Sequence, residues 1–104
     1  MERSKGETYI GFALRARKCK IGVNACGTLK KAKLIITCDT AGESTVKEAE
    51  KLAKRFTCPM LVTKGKTLGE LTHKENAKML AITDAALAQA ILSVKEEEFI
   101  ERVL

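Results

Sequence analysis

Few residues in this chain have the types and spacing that catalysis needs. One histidine, His73, and four cysteines, Cys19, Cys26, Cys38 and Cys58, could supply a base and a nucleophile. No cysteine stands at a glycine-rich helix start, and no third residue is placed to orient His73, so a Cys–His enzyme is not expected. The cysteines are far apart, with no CxxC pair and no histidines at ligand spacing. That pattern argues for small buried hydrophobes in reducing surroundings, against a zinc site or a disulfide framework. Asp39 follows an apolar run, at a place where open α/β sheets carry functional groups, but without a second acid it reads as a turn residue. Gly65-Lys66-Thr67 lacks the upstream glycine of a phosphate loop. No catalytic set, metal or cofactor is expected.

The segment Gly22-Val23-Asn24-Ala25-Cys26-Gly27-Thr28 is more informative. A glycine ahead of an asparagine and small residues makes a helix start that another molecule can approach. Its free amides and positive dipole end favour a phosphate. The Asn24 carboxamide also has donors and an acceptor for a base edge. Asparagine is equally a favoured N-cap, and capping alone would explain the residue. Arg15, Arg17, Lys18, Lys20, Lys30, Lys31 and Lys33 lie near it along the chain.

Alternating elements must position these groups. Tyr9, Ile10, Ala13 and Leu14 recur at helical spacing within 7–18, and a short strand over 19–21 stops at Gly22. Asn24 would open a second, short helix reaching about Lys31. Residues 33–38 form a β-branched run of strand length, followed by turn residues 39–42. Val46, Ala49, Leu52, Ala53 and Phe56 mark an amphipathic helix, with Thr45 and Glu48 as its capping box. Pro59 precedes a strand over 60–63, where a missing amide hydrogen is tolerated. Thr67 and Glu70 suggest another short helix, 73–76 a polar loop, and 79–82 a buried strand. Thr83 or Asp84 would cap a helix containing Leu87, Ile91 and Leu92. The remaining stretch, 94–104, reads as a helical extension whose Phe99, Ile100, Val103 and Leu104 dock on the body. The alternation predicts one α/β domain over 1–104, with helices on both faces of a small buried sheet.

Composition narrows the class of partner. A net charge of +6 on 104 residues favours a polyanion. With aromatics at 4%, the chain is poorly suited to a surface that grips single strands by stacking bases on rings. No apolar run approaches the ~20 residues that cross a bilayer, and the polar N-terminus has no signal-peptide pattern. A cytoplasmic protein with no membrane partner is expected.

Five pieces, in order and spacing, resemble the ribosomal L-seven-Ae/L-thirty-e family, most closely its short bacterial members. They are Gly11-Phe12-Ala13-Leu14-Arg15-Ala16-Arg17-Lys18, Gly22-Val23-Asn24, the run from Ala32 to Asp39, Leu68-Gly69, and the run from Met79 to Asp84. The resemblance runs from Gly11 to about Ser93. It implies a three-layer α/β/α sandwich around a small mixed four-stranded sheet. It also implies a monomer that binds kink-turn RNA, with no preference for DNA. The start of the second helix would enter a widened groove beside sheared G·A pairs, while a loop before the last strand holds a flipped-out nucleotide. By motif position, Gly22 and Asn24 fall on the family's glycine and guanine-contacting asparagine. Asp39 falls on the acidic residue after the central strand, and His73, Lys74 and Glu75 fall in the last recognition loop. Thr28 takes the ungapped position of a phosphate-contacting lysine, with Lys30 and Lys31 as alternatives and Lys33 as a further phosphate neutraliser. The chain departs from the family at Ala25, commonly Glu, at His73, usually Gly, and in a second helix shorter by most of a turn. The rival expectation is a regulatory or ribosome-associated module of the same fold without kink-turn recognition, acting on a protein through its surface, with the apolar tail Phe99 to Leu104 as one candidate. A contiguous basic face around Asn24 would favour RNA; scattered lysines and an exposed tail would favour the protein partner.

Overall fold

A computed structural model describes residues 5–38, 41–63 and 77–93, and the backbone of 99–102. The elements are α1 (Lys5–Ala16), β1 (Cys19–Ile21), α2 (Val23–Gly27), β2 (Leu34–Cys38), α3 (Glu43–Phe56), β3 (Met60–Thr63), β4 (Met79–Ile82), α4 (Ala85–Ser93) and β5 (Phe99–Arg102). The strands form one sheet in the order β1-β4-β2-β3-β5. β2 and β3 are parallel, and the other three pairings are antiparallel, so the sheet is mixed as expected.

Strand periodicity divides the core. Along β2, Leu34, Ile36 and Cys38 pack with Ile10 and Ala13 of α1 and Ala88 and Ile91 of α4. Ile35 packs to the other side with Cys26 of α2 and Ala49, Leu52 and Ala53 of α3. In β4, Leu80 and Ile82 join the first cluster, while Met79 and Ala81 join the second. Because successive side chains alternate and both faces are covered, β2 and β4 are buried along their whole length and read as unbroken apolar runs. The three-layer α/β/α sandwich is therefore present.

Two local expectations need correction, and one open alternative is resolved. Residues 99–102 form no helix but a fifth strand, with Val62 opposite Ile100. Without it β3 would leave an open edge, and pairing satisfies those backbone groups. α3 begins ahead of the proposed Thr45–Glu48 box: Gly42 is the N-cap, and its carbonyl accepts the amides of Thr45 and Val46 at 3.0 and 3.1 Å. Glu43 then sits in the first turn, where its charge suits the helix dipole. At α4 the choice between Thr83 and Asp84 falls to Asp84, whose Oδ2 accepts the Leu87 amide at 2.9 Å. Thr83 instead donates its hydroxyl to the Lys18 carbonyl at 3.0 Å.

Candidate nucleic-acid interface

Gly22 ends β1 and starts α2. Its amide donates to the Met79 carbonyl at 2.8 Å, and its own carbonyl accepts the Cys26 amide at 3.0 Å. It holds φ 100° and ψ 149°, a region that side chains disfavour strongly. The turn places Asn24 one residue inside the helix, so Gly22 is the N-cap and no side chain caps α2. Capping therefore does not account for Asn24. Its side chain is exposed and hydrogen-bonds to no other described residue.

Buried chemistry fixes the rest of this short helix. Cys26 is buried beneath it, donating its thiol to the Lys20 carbonyl at 3.6 Å. Burial pushes that thiol up to about 11, partly opposed by a hydrogen bond with the Ala81 backbone. Burial also raises the Cys19 and Cys58 thiols, so none of the three is poised as a nucleophile at neutral pH. At the far end Arg55 Nη2 donates to the carbonyls of Gly27 and Leu29, each at 3.0 Å. The Thr28 hydroxyl turns back to the Ala25 carbonyl at 2.8 Å. Thr28 thus closes α2, which spans five residues and stops well short of the expected Lys31. So short a helix sums few peptide dipoles. Any recognition here rests on the Asn24 carboxamide more than on the dipole.

Lys30, Lys31 and Lys33 are exposed, but they do not surround Asn24. The Gly22 amide meets Met79, at the beginning of β4, whereas the Lys33 amide meets the Ile82 carbonyl, at its end, at 2.8 Å. Three residues of strand separate those points by ~10 Å. Lys18 lies at the Ile82 end too, its carbonyl accepting the Thr83 amide at 2.8 Å. The reason is topological. α2 returns along the sheet toward the place where β1 began, so residues following it come back beside Lys18. The expected basic face around Asn24 is thus divided: tip at one end of the sheet, lysines at the other. Near the tip, Lys78 precedes Met79 and is half-buried.

Asp39, His73, Lys74 and Glu75 lie outside the described residues. Two signals escaped the sequence reading. No Asp or Glu occurs between Glu7 and Asp39, the stretch containing Arg15, Arg17, Lys18, Lys20, Lys30, Lys31 and Lys33. Arg55 had no local signature, because its role depends on α3 docking against α2. Among the described residues no group of three or more His, Cys, Asp or Glu could hold a metal, and no helix is long and apolar enough to cross a membrane.

Layers, strand order and register define an α/β/α sandwich with a mixed sheet. A solved structure of a protein with unknown function from Bacillus halodurans C matches it with a TM-score of 0.74. The match covers 88% of this chain and 97% of that one at 23% identity, a likeness of fold. No family model matches the chain, and no curated protein matches it significantly.

Proposed function

We propose that this protein binds structured RNA of the kink-turn kind, as a ribosomal or ribosome-associated component. The observation that carries the reading is Asn24: exposed, spared from capping, and mounted on a turn tied to β4 through the Gly22 amide. A carboxamide that caps no helix and bonds to no other described residue suits pairing with a base edge. The acid-free stretch from Thr8 to Cys38 adds a basic surface that suits phosphates. Asp39, His73, Lys74 and Glu75 complete the proposed contacts by motif position. The alternative is a protein-interaction module acting through its surface, with the apolar tail as one candidate; the backbone of residues 99–102 pairs with β3.

The test compares Asn24→Ala with wild type on a kink-turn RNA and on a matched straight duplex. Losing one well-made base contact, worth ~1–3 kcal/mol, should lower the kink-turn preference by roughly tenfold or more while duplex binding holds. An unchanged preference ratio would remove Asn24 from recognition.

A further inference from the structure

The sheet end opposite Asn24 collects cations from three separate segments. Lys18 and Lys33 flank the end of β4 through the Thr83 and Ile82 hydrogen bonds. The Ile35 amide donates to the Pro59 carbonyl at 3.1 Å, which brings the residues just after α3 alongside. Lys54 stands in the last turn of α3. Arg55, beside it, holds the segment leading to Lys30 and Lys31 through the Gly27 and Leu29 carbonyls. All of these lysines are exposed. Across adjacent strands at ~4.8 Å spacing, the line from Lys18 past Thr83 and Lys33 to Pro59 covers about 14 Å, enough to follow several phosphates. The surface is concave beside α3, with an open hollow of about 420 Å³ lined by Ala53, Lys54, Thr57, Cys58 and Pro59.

Most carboxylates of the described helices are placed elsewhere. Glu7 is in the first turn of α1, and Glu43, Glu48 and Glu50 fall within the first eight residues of α3. Asp84 and Glu101 are exceptions: the Asp84 carboxylate accepts the Leu87 amide, and the Glu101 backbone lies opposite Leu61 of β3. Among the described residues, the acids of α1 and α3 thus stand away from these lysines.

We propose that this end is a second binding surface for RNA backbone, so that one protein molecule bridges two RNA segments. The choice of RNA over other polyanions rests on the function proposed above. The surface reads charge and spacing; the Asn24 tip, at the other end, reads shape and base.

The experiment saturates the protein with unlabelled kink-turn RNA and then titrates a labelled short RNA duplex. Wild type should still take up the duplex as a ternary complex. Lys31→Gln with Lys33→Gln should weaken duplex binding roughly tenfold at 0.15 M salt and lower the salt slope by about 1.4–1.8. A control pair of equal charge change, Lys5→Gln with Lys47→Gln, should leave it within about twofold. Asn24→Ala should not alter it. Displacement of the duplex by kink-turn RNA, or equal weakening by both pairs, would overturn the proposal. If kink-turn RNA shows no preference over duplex, the function proposed above fails, while the two lysine pairs still decide on this surface.

Discussion

At Gly22 the added Cβ of an alanine would meet no atom within 4 Å, yet the φ of +100° makes any side chain strained. Gly22→Ala should therefore cost ~1–3 kcal/mol through backbone conformation alone, read as a lower denaturation midpoint. Equal stability of the two proteins would refute that. Asn24 differs. Since it does not cap α2, Asn24→Ala should not incur the ~1 kcal/mol of a lost N-cap. The sequence made this helix start legible but not which residue caps it, because the answer turned on the φ of one glycine. Cys26 offers a pH test. Its thiol is raised from 9.0 to about 11 by burial, so the folded state holds the proton more tightly than the unfolded chain. The associated stability is complete below pH 9 and is lost as pH climbs through about 11. Denaturant melts at about pH 8 and about pH 10.5 should show a larger alkaline loss in wild type than in Cys26→Ala. Parallel losses would assign the alkaline instability to other groups.

At the scale of elements, legibility followed the distance over which each signal acts. β2 and β4 were plain as apolar runs because both of their faces are covered. α3 was plain from its stripe, although its start was misplaced. β5 was missed because Phe99–Arg102 has only two apolar residues, and its strand state comes from pairing with β3. The exit of α2, closed by Thr28, is held by Arg55, which lies 28 residues beyond Gly27 along the chain. These non-local causes leave no mark in a local window. β5 yields its own prediction. Deleting the chain from residue 99 onward uncovers the β3 edge, so the shortened protein should melt lower and aggregate with rising concentration. A monomeric shortened protein with wild-type stability would show that β5 contributes nothing.

For the whole molecule, the net charge of +6 pointed to a polyanion, but nothing in the sequence told which end of the sheet would bear the charge. That depended on α2 folding back and on the β1–β4 and β2–β4 registers. The candidate site was legible at its tip and not in its surroundings: Gly22 and Asn24 lie together at one end, while Lys30, Lys31 and Lys33 join Lys18 at the other. This arrangement makes specificity and phosphate affinity separable. The most direct measurement is a titration of isotope-labelled protein with kink-turn RNA, followed through its backbone amide resonances. Large shifts are expected at residues 22–26, with the lysines at 30–33 left open to a second RNA segment. Shifts confined to 30–33 and the end of α3, leaving 22–26 unmoved, would contradict recognition by the Asn24 tip.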